Sequence, residues 1–149
     1  VSAAALESGR LAVRPVAPGD LSYCLAVRRR VFIEGQGVPE EIEIDGRDAA
    51  SIHFLATLDG RPVGTARLRA HQGAAKVERV AVLAEHRGSG IGHALMDAVE
   101  ASARAQGFAV AVLHAQVPVA DFYERLGYRR EGSTFLEADI PHVRMTKPL

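Results

Sequence analysis

The chain is 149 residues long, 48% hydrophobic and 24% charged, with 18 lysines and arginines against 18 aspartates and glutamates. That length suits one domain with a real core, and the mixture excludes a disordered chain. Zero formal charge excludes a global pull toward nucleic acid or an anionic membrane, and leaves only a local basic patch open.

The single cysteine, Cys24, neither staples the fold nor makes a metal site; it reads as a packing residue in a reducing cytoplasm rather than a catalytic thiol. No apolar run approaches a membrane span, and the N-terminus lacks the basic-then-apolar pattern of a signal. Residues 1–10, without an initiator methionine, read as a flexible or processed end, and residues 11–149 as a single domain.

Leu11 to Val16 alternates as a first strand should. Asp20 is placed to cap a helix whose apolar stripe is Leu21, Cys24, Leu25 and Phe32, and Arg28, Arg29 and Arg30 fall at its end, where cations suit the dipole. An acidic loop broken by glycine and proline follows, through Ala50. Three strand-like runs come next, "SIHFLATL", "RPVGTARLRAH" and "KVERVAVL". Asp59-Gly60 joins the first two as a hairpin, and a looser turn at Gly73-Ala74-Ala75 leads into the third.

The period then changes. Ile91, Ala94, Leu95, Ala98, Val99 and Ser102 recur at helical spacing, and Gly107 ends the run. "FAVAVLHA" is a buried strand, and "PVADFYERLGY" a short helix between Pro118 and Gly127. The tail makes two more strands around a turn near Ala138 to Pro141. The order predicts a mixed, mostly antiparallel α/β sheet with helices on its faces.

Three glycines, Gly88, Gly90 and Gly92, crowd the stretch "EHRGSGIG" where a helix begins. One glycine would serve a turn. A strand, a glycine loop and a helix N-terminus together make an anion site, because the first N–H groups of a helix lack internal partners and the dipole is positive there. Arg87 adds charge at the mouth. The dinucleotide fingerprint fails because His93 stands where its third glycine belongs, and a meander rather than a βαβ unit leads in. The P-loop fails for want of Lys-Ser/Thr, and no nucleophile elbow is present.

The pattern that fits is R-x-x-G-x-G, at Arg87, Gly90 and Gly92. Here the chain resembles the GNAT superfamily of acetyl-CoA-dependent N-acetyltransferases. "ERVAVLAEHRGSGIGHALMDAVE" resembles the family's strand, loop and helix, and "LHAQVPVADFYERLGYRREG" its later strand and helix. "RRRVFIEGQGVPEEIEIDGRD" and "FLEADIPHVRM" are similar to a small bacterial branch labelled ElaA-like or YjcF-like. Gly35 departs from the branch, where glutamate is common.

The resemblance implies direct transfer from acetyl-CoA, as cosubstrate, to an amine. It assigns the loop Arg87, Gly88, Ser89, Gly90, Ile91 and Gly92 to the pyrophosphate, and the backbone of Val80, Ala81 and Val82 to the pantetheine arm. The N–H of Val82 would polarise the thioester carbonyl. Tyr123 stands where the family carries a general acid, weighed against a core aromatic, with Phe122 beside it as a packing residue of the cofactor site. Gln116 and Arg125 are assigned contacts to the cofactor arm and its phosphates, with a plain surface arginine the alternative at 125.

An alkyl ammonium reaches its neutral form at pH 7 at a cost of roughly 4–5 kcal/mol, so a base or desolvation is needed. Glu78 is the candidate base, weighed against a solvated strand carboxylate; Glu41 and Glu43 are weaker candidates that would instead attract a cationic acceptor. Six histidines, among them His53, His114 and His142, show no ligand spacing, so no metal is expected. His53 and His142 fall within the family-like stretches, where they would line the acceptor pocket or serve as satisfied structural histidines. A small-molecule amine is the expected partner, with a homodimer through an exposed final strand left open. Two rivals stand beside this reading: a non-catalytic acyl-CoA sensor, and an acetyltransferase for protein lysines or N-termini.

Overall fold

The alternating runs of the first half fold into strands that pair in the order in which they occur. Within residues 10–149, which the computed structural model describes, β1 (Leu11–Pro15), β2 (Ile52–Leu58), β3 (Arg61–His71) and β4 (Ala74–Val82) form an antiparallel meander. The expectation for residues 1–9 lies outside the described residues; Arg10 already exchanges backbone and side-chain bonds with Asp59. Both tight turns take left-handed backbone, at Asp59-Gly60 and Gln72-Gly73, as two-residue hairpins in twisted strands require. The second turn falls earlier than Gly73-Ala74-Ala75 because Ala74 already pairs with His71.

The chain crosses through α3 (Ile91–Ala105) to β5 (Val110–Gln116), which lies parallel to β4. A helix α4 (Ala120–Arg125) precedes β6 (Arg129–Glu137) and β7 (Ile140–Pro148), completing a seven-stranded sheet in the order β1-β2-β3-β4-β5-β7-β6. The mixed, mostly antiparallel sheet is the one the sequence predicts. The expectation of an exposed final strand is corrected. β7 inserts between β5 and β6, so it has no free side for pairing across a two-fold axis, and β6 is the edge.

Alternation divides the two faces of the sheet. On one, Phe54, Leu68, Val77, Leu113 and Met145 pack against Ile91, Leu95 and Val99 of α3 and against Tyr123. Each such aliphatic side chain contributes about 1.5–3 kcal/mol on burial. On the other face lie α1 (Leu21–Arg28) and its π-helical continuation Arg29–Glu34, which press Val27 and Val31 onto Ala81 and Leu83. Asp20 precedes α1 but makes no side-chain cap; its carboxylate lies 3.7 Å from Arg14. The buried stripe is Cys24, Val27, Arg28 and Val31 rather than Leu21, Leu25 and Phe32.

Arg28 ends α1 but is 0% exposed, so its charge is met by buried carboxylates and not by the helix dipole alone. It donates to Glu43 at 2.9 Å and to Asp48 at 2.7 Å. The acidic loop is therefore a cover, not a solvated segment. Its short helix α2 (Glu40–Glu43) and the turn at Asp48–Ala50 lay Glu43, Asp45 and Asp48 onto arginines of the sheet. Arg67, also 0% exposed, bonds Asp45 at 2.8 Å, Asp48 at 3.0 Å and Glu78 at 2.8 Å. His53, buried, donates from Nε2 to the Asp48 carbonyl at 2.9 Å and so pins the same turn.

Burial alone would raise these carboxyls, but hydrogen bonds and charge from the arginines outweigh it. Asp45 and Asp48 fall below their ordinary range, Asp45 furthest, and Glu78 is held at about 2. A folded-state value below the unfolded one stabilises above the unfolded value, near pH 4, and the gain is lost as pH falls toward the folded value. Urea midpoints are therefore expected to hold from pH 7 to 5 and drop steadily below about pH 4.5; a flat midpoint down to pH 3 would contradict the network. Glu43→Gln leaves Arg28 buried with half its charge partners, and is expected to cost about 3–5 kcal/mol in the same assay.

Candidate active site

The central fact of the site is that β4 and β5 part company. They pair only at Ala75–Val77 against Ala111–Leu113, and no pairing continues beyond Val77 and Leu113. The cause lies one residue on. Arg79 sits in the left-handed region at φ 56°, and the register with β3 shifts between Thr65 and Arg67. This is a β-bulge, which bends its strand and re-aims its side chains. Glu78 and Arg79 consequently both reach the α1 face. Glu78 meets Arg67 and Arg69 there, and Arg79 meets Glu43 at 2.6 Å.

Past the bulge, the Leu83 N–H donates to Val63 on the β3 side. Strand alternation therefore turns the N–H and C=O of Val80 and Val82 toward the gap, while Ala81 is buried against α1. The Val82 carbonyl accepts a bond from Arg87 Nε at 3.2 Å, which lays the arginine back along the strand end.

The three glycines that follow have different physical reasons. Gly88 and Gly90 are left-handed, at φ 79° and 84°, with open space where a Cβ would stand. Gly92 lies inside α3, and a Cβ there would come within 3.3 Å of the Phe122 ring. Close approach by Phe122 is thus a reason for glycine at 92. Ser89 donates its hydroxyl to the His86 carbonyl and tightens the loop. Ile91 and Gly92 open the helix, with first-turn N–H groups that have no intrahelical partner. A pocket of about 230 Å³ borders the loop, lined by Arg30, Val31, Gly35, Gln36, Leu83 and Arg87 among others. Gly35 closes the π-helical turn, its N–H reaching the Arg30 carbonyl at 3.0 Å, where a Cβ would stand 2.6 Å from the Val31 oxygen.

Tyr123 is 7% exposed, beneath the gap on the α3 face, with its ring edge-on to Phe122 and Tyr128. Burial pushes its phenol well above the ordinary value, so it stays protonated. Tyr128, its neighbour, spends its hydroxyl on Glu100 at 2.9 Å; the Tyr123 hydroxyl has no hydrogen-bond partner among the described residues. Gln116 ends β5 and exchanges two amide bonds with Gln36, at 3.1 and 2.9 Å, across the mouth of the gap. Arg125 is exposed on α4, away from any described partner.

Glu78 is neither a solvated carboxylate nor a ready base. Arg69 at 2.6 Å, Arg67 at 2.8 Å and Lys76 at 3.7 Å surround it, and at about 2 its pKa leaves it a weak proton acceptor. The expectation of a base at Glu78 finds no support in these surroundings. Glu43, 2% exposed and held by Arg28 and Arg79, is equally unable to attract a cationic acceptor, whereas Glu41 stands in solvent. Sequence reasoning singled out His142 of β7 but passed over the cluster it belongs to on the same face, with His114 of β5 and Phe135 and Glu137 of β6. Period-two alternation was the available signal, since it sets His114 beside Gln116 on the face opposite Leu113 and Ala115. Among the described residues no group of three or more His, Cys, Asp or Glu is placed to hold a metal ion, and no helix is long and apolar enough to cross a membrane.

A family model described as an acetyltransferase (GNAT) domain matches residues 26–149. The N-acetyltransferase YjcF of Bacillus subtilis (strain 168) is 40% identical over 122 residues, spanning 81% of this chain and 87% of its own. An acyl-CoA N-acyltransferase from Pseudomonas aeruginosa superposes with a TM-score of 0.80 at 28% identity, over 92% of this chain and 97% of that one. Escherichia coli ElaA shares the fold with a TM-score of 0.82 at 24% identity, over 92% and 99%. A parted pair of parallel strands, a glycine cradle at a helix N-terminus and these matches agree: the chain belongs to the GNAT family and is an N-acetyltransferase.

Proposed function

We propose that the chain moves an acetyl group from acetyl-CoA to a primary amine of a small molecule by direct transfer, with donor and acceptor held together. The observation that carries this reading is the gap itself: strand backbone at Val80 and Val82, with no strand beside it and only Arg87 on the Val82 carbonyl, runs straight into an open, left-handed glycine cradle. The diphosphate of the donor suits the free N–H groups from Gly88 to Gly92, with Arg87 as the charge beside them. Val80 and Val82 offer the pantetheine arm the partners that a neighbouring strand would have had, and Gln116 reaches the same arm once its bond to Gln36 opens. Phe122 acts by holding α4 against Gly92, so the cradle and Tyr123 move as one piece. Arg125, exposed and unpaired, is available to an outer phosphate.

Bound acetyl-CoA supplies the activated acyl carbon. Tyr123 gives its hydroxyl proton to the departing sulfur, a role that fits a buried phenol kept protonated and left without another partner. The acceptor enters from the α1 face. The sheet beneath it is neutralised by its own ion pairs, so recognition of the amine rests on local groups near the gap rather than on the acidic loop.

A panel of small amines and of lysine peptides, read out as free thiol, tests the reaction; turnover of small amines is expected, and turnover of peptides alone would reassign the acceptor. Tyr123→Phe is expected to bind acetyl-CoA as the wild type does while losing about 100-fold in kcat. Equal kcat in both proteins would remove Tyr123 from the chemistry. Arg87→Ala is expected to weaken coenzyme A binding about tenfold by calorimetry, roughly 1.4 kcal/mol, with a smaller difference at high salt.

A further inference from the structure

We propose that His114 is the general base of this N-acetyltransferase, held for the task by Glu137; the inference rests on the proposed function and names the residue that receives the acceptor's proton. The geometry begins with the register. Leu113 is the last residue of β5 paired to β4, so His114 is the first residue beyond the point where the strands separate. Leu113 and Ala115 point into the core with Tyr123. His114 points to the opposite face, from which the acceptor enters. Acid and base thus stand on the two sides of one gap.

The imidazole is fixed from behind. Its Nδ1 lies 2.9 Å from Glu137 Oε1, and the edge of Phe135 meets the ring at a centroid separation of 5.0 Å. The tight turn Ala138-Asp139, left-handed at both residues, folds β6 back and brings Glu137 to this position. The hydrogen bond from His114 is the largest influence on Glu137 and holds its carboxyl below the ordinary value. An ionised carboxylate accepts but cannot donate, so Nδ1 carries a proton, and in the neutral ring the lone pair lies on Nε2. Nε2 has no partner among the described residues, and the side chain is 23% exposed.

Most charged groups around the pair are committed to other partners, but His142 shares Glu137. On β7, His142 donates Nδ1 to the Ile140 carbonyl at 2.6 Å and sets its Nε2 3.8 Å from Glu137 Oε2, while Arg144, the cross-strand neighbour of His114, pairs with Glu131. On β4, Lys76 lies 3.7 Å from Glu78, which Arg69 and Arg67 hold. Glu78, the acid nearest the fork in sequence, is thereby silenced, and His114 is not.

The step balances. Nε2 takes one proton from the acceptor's ammonium; the neutral nitrogen forms its bond to the thioester carbonyl carbon, and the carbon–sulfur bond breaks. Tyr123 protonates the sulfur, and the second amine proton restores the phenol. The imidazolium then returns its proton to solvent.

The experiment compares wild type, His114→Ala, His114→Gln and Glu137→Gln on an amine the wild type acetylates. Both His114 variants are expected to lose about 100-fold or more in kcat/KM at pH 7 with acetyl-CoA affinity unchanged. Their rates should climb about tenfold per pH unit up to the amine's own pKa, since only amine already neutral reacts, whereas the wild type levels off earlier. Glu137→Gln, a positioning variant, is expected to lower kcat with KM held. Nitrogen-15 correlation spectra of the wild type should show His114 as the Nδ1–H tautomer, a result that does not depend on any variant folding. Variants with wild-type rates and pH profile, or an Nε2–H tautomer, would overturn the base while leaving the acetyltransferase reading intact. A wild type that acetylates no amine overturns both.

Discussion

The structure depends on one strained residue and the charges that hold it. Arg79 takes a left-handed backbone that a non-glycine residue adopts at a cost of order 1–3 kcal/mol. It is kept there because its guanidinium meets Glu43 at 2.6 Å and Asp45 at 3.3 Å, in a layer where Arg28 and Arg67 are also buried. Without the bulge, β4 would continue alongside β5 and no gap would form. The ion network is therefore not an ornament of the α1 face. It fixes the bend that opens the site.

This also explains why the acidic loop misleads a reader of the sequence. Glu43, Asp45 and Asp48 lie between glycines and a proline, in a stretch with no period, which ordinarily describes a solvated loop. Their partners Arg28, Arg67 and Arg79 come from α1, β3 and β4, and nothing local in the chain marks them as mates. Arg67 looks like a polar, outward residue of an alternating strand; it is outward from the main core, but buried under the loop. The meander, the long helix and the glycine cradle were legible because each rests on short-range signals: alternation, a 3.6-residue period, turn residues. The place of β7 between β5 and β6 was not, since order within a sheet is set by which edges remain to be covered, not by chain order.

The glycine cradle shows a subtler limit. The motif assigned one reason to three residues. Gly88 and Gly90 serve backbone shape, whereas Gly92 makes room for Phe122. The last contact couples α4 to α3, so the residue adjoining Tyr123 is keyed to the loop that would hold the donor. Phe122 accordingly matters to the donor site through packing, without needing to touch the ligand.

The charge count on the α1 face constrains how an amine can be handled there. Arg28, Arg67, Arg69, Arg79 and Lys76 stand against Glu43, Asp45, Asp48 and Glu78, five against four, so the layer exerts no net pull on a cation. An acceptor is then not concentrated by a broad negative field, and its ammonium form is not stabilised by one either. That second consequence favours the chemistry: an anionic wall would raise the amine's pKa and make the proton harder to remove. A neutralised floor with one imidazole facing the fork leaves the deprotonated amine less disfavoured at the moment of attack. The same arginines that bend the strand thus also keep the site from holding the acceptor in its unreactive form.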